Sequence, residues 1–275
     1  MKSENLSDIT SEIIEKAKEF GASLAGIASV EEVKNSPSHL IYGKLDEYKT
    51  VGNIETGEIW PDEIVWPENA KSVIVIAVVH PEKEPELDWW RNWHTGGTHG
   101  NRICISINSK LSKWMEEEKG ITSTKLPYHI EYGGIFLKDA AVMAGLGCIG
   151  KNNMVVTPEY GPRVRLRAML TDVVLHGTGP LDFDPCKECD MPCQRVCPQK
   201  AFERNIYSEK QFDLTMLPAR TGGYNRHLCN VQITRDYENS EKIVVEGQDE
   251  PGKLVKYCRC CEMVCPVGKK EKRRE

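Results

Sequence analysis

Two cysteine runs constrain this chain more than anything else in it: "CKECDMPCQRVCPQKAF", Cys186 to Phe202, and "YCRCCEMVCPVG", Tyr257 to Gly268. Each ends in C-x3-C-P, and the first opens with C-x2-C. Two such halves are the pattern of a two-cluster bacterial ferredoxin-like module, in which the last cysteine of each run ligates the other run's cluster. That rule gives one 4Fe-4S cluster to Cys186, Cys189, Cys193 and Cys265, and three corners of a second to Cys197, Cys258 and Cys261. The remaining corner falls to Cys229, which alone lies between the runs. Two features depart from the usual spacing. Three residues rather than two separate Cys189 from Cys193, and the additional thiol of Cys260 leaves open whether it or Cys261 is the ligand. Zinc is the other reading of a C-x2-C pair, but paired C-x3-C-P endings favour clusters.

The cysteines also divide the chain. Of eleven, only Cys104 and Cys148 precede residue 186, which predicts a mixed α/β domain over 1–179 and a cluster module over 180–275, joined at "HGTGPLDFDP". The N-terminus "MKSENLSDIT" has neither an apolar core nor a twin-arginine signal, and no window reaches the roughly 18 apolar residues of a membrane span. A cytoplasmic location with no membrane contact is therefore expected. There disulfides are not maintained, so an odd count of eleven cysteines points to metal or redox chemistry. A net charge of −5 argues against a general grip on nucleic acid, and the basic "GKKEKRRE" reads as a solvated tail.

Residues 6–20 carry Ile9, Ile13, Ile14 and Ala17 at helical spacing with Gly21 as a stop. "SVIVIAVV", Ser72 to Val79, is a β-branched run suited to a strand buried on both faces. Ile103, Ile107, Leu111, Trp114 and Met115 stripe a helix that ends near Gly120, with Cys104 a buried small hydrophobe, and "IFLKDAAVMA" forms another. "NMVV" and "VRLRAMLTDVVL" read as strands.

Between the last helix and those strands lies "AGLGCIGKNN", Ala144 to Asn153, which matches G-x-G-x-x-G and nearly matches a P-loop. Both nucleotide motifs need a strand before the loop and a helix after it. Here the order is reversed, so a glycine-rich helix stop and turn is the expectation.

Taken together, "SVIVIAVV", "AGLGCIGKNN", "LRAMLTD", the two cysteine runs and the lone Cys229 resemble epoxyqueuosine reductase and the reductive dehalogenases, cobalamin-dependent iron-sulfur reductases. The resemblance implies an α+β fold: an N-terminal domain like the cobalamin-binding, nitroreductase-like reductase domain, followed by the two-cluster module. It implies a corrinoid beside Gly145, Gly147, Gly150, Lys151 and Asn152, and an acidic proton donor at Glu131, where active relatives carry Asp. Cys148 replaces the usual Trp and "EYGG" replaces Asp-x-x-Pro, so the substrate side of the pocket is expected to differ. The helical extension of the full-length tRNA enzymes is not seen after the second run, which together with the acidic charge disfavours tRNA.

The expected function is an iron-sulfur oxidoreductase that passes low-potential electrons through two 4Fe-4S clusters to a bound corrinoid and reduces a small substrate, its electrons drawn from a donor such as a ferredoxin or flavodoxin. The alternative is a cofactor-free electron-transfer protein that docks and reduces a partner such as a corrinoid protein. The aromatic cluster "WWRNWH", Trp89 to His94, either covers a macrocycle or closes a core or interface, and His94 and His99 beside Gly96 and Gly97 belong to a lid or an ordinary loop.

Overall fold

The computed structural model describes residues 3–42, 66–94, 97–217 and 219–269. Helix α1 (Ser3–Glu19) turns Ile13 and Ala17 onto one buried face, and Gly21 at φ 110° releases the chain into strand β1 (Leu24–Ser29). Ser29 and Glu32 then form a reciprocal capping box that starts α2 (Val30–Lys34), and α3 (Pro37–Tyr42) follows. Next come strand β2 (Ser72–Val79), the two-residue strand β3 (Trp90–Arg91), helix α4 (His99–Lys119), strand β4 (Ser123–Lys125) and helix α5 (Leu137–Met143). The first part closes with strands β5 (Cys148–Ile149), β6 (Val155–Val156) and β7 (Val164–Thr171). Beyond it lie α6 (Pro192–Arg195), α7 (Glu209–Phe212), α8 (Arg226–Glu238), β8 (Glu241–Ile243), β9 (Gly252–Val255) and α9 (Cys260–Met263).

A four-stranded sheet in the order β1-β2-β7-β4 forms the centre, and every neighbouring pair in it is antiparallel. Successive side chains of a strand point to opposite faces. On β2 this sends Val73, Val75 and Ala77 toward α2 and α5, while Ile74, Ile76 and Val78 face α1 and α4. Both faces are covered by helices, which is why the strand reads as an unbroken apolar run rather than as an alternating one. Helix α4 buries Cys104, Ile107, Leu111 and Met115 in the second of these layers and stops at Gly120, which takes φ 64°. Among the described residues no helix is long and apolar enough to cross a membrane.

Three local expectations change. The "IFLKDAAVMA" helix spans only Leu137–Met143. The "NMVV" strand is two residues long and pairs with β5 in a separate hairpin, Cys148 opposite Val156. Strand β7 ends at Thr171, whose hydroxyl accepts the Val173 N–H at 3.3 Å and donates to the Thr122 carbonyl at 2.9 Å, so the chain bends away from the sheet there.

The segment at residues 176–180 is tied into the core. Thr178 donates from its hydroxyl to the Ala144 carbonyl at 2.7 Å and accepts the Ile27 N–H at 2.8 Å. A second sheet, β3-β9-β8, crosses the sequence division altogether, because Trp90 pairs with Val255 and Arg91 with Leu254.

Candidate functional site

The glycine loop follows directly from a helix, α5, and leads into the β5–β6 hairpin. Gly145 takes φ 73° and lies against the Thr178 carbonyl, and a Cβ on Gly147 would be driven into the Val156 carbonyl. Gly150 donates its N–H to the Met154 carbonyl at 2.8 Å, closing the hairpin.

The end of this loop grips both cysteine helices. Asn152 is buried; its Oδ1 accepts the Met154 N–H at 3.2 Å and its Nδ2 donates to the Cys261 carbonyl at 3.4 Å. The Lys151 carbonyl accepts from Gln194 Nε2 on α6 at 2.8 Å. Nearby, buried Arg163 donates to the carbonyls of Glu262 at 3.4 Å and Cys265 at 3.1 Å, and also to that of Val267.

All eleven cysteines are free thiols, and α6 packs against α9. Burial pushes the Cys193 thiol up to about 11, and the charges of Cys265, Cys186 and Cys189 add to it. Burial likewise raises Cys265, with Cys186 and Cys189 again contributing. Cys261 is raised by burial and then by Cys229, Cys258 and Cys197. Burial carries Cys258 up to about 12, with Cys260 and Asp236 beside it. The structure thus brings Cys186, Cys189, Cys193 and Cys265 into one neighbourhood and Cys197, Cys229, Cys258 and Cys261 into another. Cys148, pushed up to about 11 by burial with Cys186 and Cys265 adding to it, borders the first, and Cys260 borders the second. Cys193, Cys258, Cys261 and Cys265, raised chiefly by burial, are thiols that a cationic centre would stabilise as thiolates. Among the described residues no three His, Cys, Asp or Glu side chains converge closely enough for a single bare metal ion. The four ligands of a cubane each bind a different iron, so they stand farther apart.

Glu131 belongs to a 3-10 turn, Ile130–Tyr132, closed by Gly133 at φ 92°; its side chain lies outside the described residues. Four neighbouring positions went unnoticed in the sequence. Tyr128 is exposed with the Arg167 guanidinium 5.5 Å from its ring centre. Lys138 is half-buried and donates to the Asn153 carbonyl at 2.8 Å, and burial followed by the charge of Arg226 lowers its pKa to about 8. Arg226 is open to solvent, yet burial is the largest influence on its guanidinium, with Tyr224 and Cys229 outweighing it.

A closed ring of charges was also missed. Asp88 meets Arg165 Nε at 2.8 Å and also pairs with Arg259, and both arginines meet Glu262, Arg165 at 3.0 Å. His80, fully buried, adds an Nδ1 contact to Asp88 at 2.7 Å. Two arginines inside the buried "VRLRAML" strand were the available signal.

The aromatic cluster packs on the C-terminal part. Trp90 lies 6.1 Å from Tyr237 between ring centres, Lys256 Nζ is 4.6 Å from the centre of Trp89, and Trp93 covers Gly252. His99 opens α4, and of the surrounding loop, residues 95 and 96 lie outside the described residues.

No family model matches the chain. An epoxyqueuosine reductase from Prochlorococcus marinus (strain NATL2A) is 26% identical over 97% of this chain and 80% of its own length. The solved epoxyqueuosine reductase from Streptococcus thermophilus superposes with a TM-score of 0.61 at 23% identity, covering 96% of this chain and 67% of that one. A catabolic reductive dehalogenase superposes with a TM-score of 0.62 at 15% identity, over 96% of this chain and 32% of that one. The fold is therefore the one these reductases share. In sequence and in fold the chain is similar to epoxyqueuosine reductases and reductive dehalogenases. It spans 53% of one curated relative, from Lactococcus garvieae, and 80% of another.

Proposed function

We propose that this chain is an iron-sulfur reductase that carries low-potential electrons through two 4Fe-4S clusters toward a corrinoid and a small-molecule substrate. One observation carries the reading: the thiols gather in two separate neighbourhoods, each mixing cysteines from both ends of the C-terminal part. The proposed ligands are Cys186, Cys189, Cys193 and Cys265 for the first cluster, and Cys197, Cys229, Cys258 and Cys261 for the second. The donor chemistry fits, since raised thiols lose their penalty once a cationic core binds them. We also assign residues 1–179 and 180–275 to the reductase domain and the cluster module.

The corrinoid enters this reading through the likeness to a reductive dehalogenase described as dehalogenating by a B12-dependent mechanism. The faces of Gly145 and Gly147 that lack a Cβ are filled by protein, while Lys151 remains half-buried beside them. When bound, a corrinoid supplies a strongly reducing cobalt centre. For its part the protein holds the second cysteine run in place through Asn152 and Arg163, and Glu131 is the proposed proton donor to the product. A solved relative is bound to an epoxyqueuosine-modified tRNA stem loop, so that RNA belongs among the substrates tested. The proposed electron donor is a ferredoxin or flavodoxin, and the site of action the cytoplasm.

Anaerobic reconstitution tests the reading. About eight iron and eight sulfide per chain, with broad absorption near ~400 nm, support two clusters, whereas zinc without iron rejects them. Retention of one added cobalamin per chain then separates the reductase from an electron carrier that docks a corrinoid protein.

A further inference from the structure

The first cysteine of each run rests its backbone N–H on an aspartate. Cys186 donates to Asp184 Oδ1 at 3.1 Å, and Cys258 donates to Asp236 Oδ2 at 2.7 Å. Asp184 stands two residues before its cysteine, whereas Asp236 comes from α8, the helix that also carries Cys229. Asp236 is fixed in turn by Gln232, whose Nε2 donates to its Oδ1 at 2.7 Å. A carboxylate only accepts, so the Gln232 amide turns its oxygen the other way, where it takes Gln199 Nε2 at 2.8 Å. Gln199 lies two residues beyond Cys197, and the relay therefore joins the three segments that bring Cys197, Cys229 and Cys258.

The two aspartates differ in one respect. Both oxygens of Asp184 meet the Arg220 guanidinium, Oδ2 at 2.5 Å. Arg220 reaches it from a tight turn in which Ala219 and Arg220 take φ 54° and 69°, and Asn153 Oδ1, at the end of the glycine loop, accepts the Ala219 N–H at 3.1 Å. Two successive left-handed residues with a Cβ are strained, and such a turn persists only where its surroundings over-determine it. Asp236 receives neutral donors, the Gln232 amide and the Cys258 N–H; among the described residues no lysine, arginine or histidine pairs with it.

Reduction adds a negative charge to a cluster, which a carboxylate close by opposes and a carboxylate neutralised by a guanidinium opposes far less. The hydrogen bond at the first cysteine is the same in both runs, which leaves charge as the difference. We infer that Asp184 and Asp236 are matched caps on the two cysteine runs, one neutralised and one not, and that the uncompensated charge of Asp236 makes the second cluster the harder of the two to reduce. Electrons from a donor then enter at the second cluster, whose Cys258 is exposed, and run downhill to the first, whose Cys186, Cys193 and Cys265 are buried. The inference rests on the cluster assignment above.

An EPR-monitored redox titration of the reconstituted full chain tests it, with the second cluster's signal identified as the one lost or altered in Cys229→Ala. In the wild-type chain that signal is expected at the more negative potential. Asp236→Asn keeps an acceptor for the Cys258 N–H and removes the charge, so it should move the second signal to a less negative potential and leave the first in place. Arg220→Leu should move the first signal to a more negative potential and leave the second in place, and Arg220→Lys should restore most of that shift. If Asp236→Asn binds less iron, the wild-type order and the two Arg220 variants decide. A first cluster reduced at the more negative potential in the wild-type chain, unmoved potentials in the variants, or equal movement of both signals overturns the inference while leaving the clusters standing. A wild-type chain that takes up no iron overturns the cluster assignment as well.

Discussion

Arg165 reaches Glu262 at 3.0 Å and so joins the central strand β7 to α9, the helix of the second cysteine run. Asp88 and Arg259 close the ring. Removing one member of a buried set of charges leaves the others uncompensated, which costs about 3–5 kcal/mol. Asp88→Ala is expected to lower unfolding free energy by an amount in that range, read by urea denaturation of the iron-free chain, while a surface change such as Glu117→Ala leaves it within about 0.5 kcal/mol.

The same ring gives an acid limb. Burial alone would raise the Asp88 carboxyl, but the bond from His80 and the charges of Arg165 and Arg259 hold it below the usual aspartate range. A depressed carboxyl stabilises the fold fully above its unfolded pKa and loses that contribution as pH falls through the folded value. Stability should therefore drop below about pH 4, and Asp88→Asn should flatten that drop in a pH series of melts.

His39 predicts a slope in a different window. Burial lowers its pKa to about 4, partly opposed by Asp139. Its Nε2 accepts the Phe136 N–H at 3.3 Å, so the ring is folded neutral with its proton on Nδ1, facing the Ser36 hydroxyl at 2.9 Å. The unfolded chain binds the proton first, so the stability His39 provides is whole above about pH 6.5 and is lost on the way down to its folded value. In His39→Gln the loss between those limits should shrink.

Gly147→Ala should destabilise the β5–β6 hairpin by roughly 1–3 kcal/mol, because the new methyl meets the Val156 backbone. Gly120→Ala makes a useful control, since nothing crowds that position and only its φ of 64° is strained. Melting of both variants, with iron content after reconstitution, checks whether hairpin damage spreads to the cysteines.

Cys229→Ala should lose or convert one cluster and leave the other near intact. Unchanged iron and sulfide in that variant would move the corner to Cys260 or another group.

Much of the central sheet was legible because β2 and α4 state their burial in consecutive residues: eight apolar or small positions in one, a regular stripe in the other. The cysteine runs were legible because the chemistry dictates the spacing. Other features depend on contacts between distant segments. The pairing of Trp90 with Val255 involves a two-residue strand with no pattern of its own. Asp88 sits in a 3-10 turn, and nothing local marks it as the partner of two arginines 77 and 171 positions later.

The β3–β9 pairing also bears on synthesis. Trp90 and Arg91 leave the ribosome long before Gly252–Val255, so during translation they present an unmatched backbone edge beside three tryptophans. A nascent or truncated polypeptide stopped short of that last strand keeps this sticky margin uncovered, and it is there that chaperone engagement or clumping would begin.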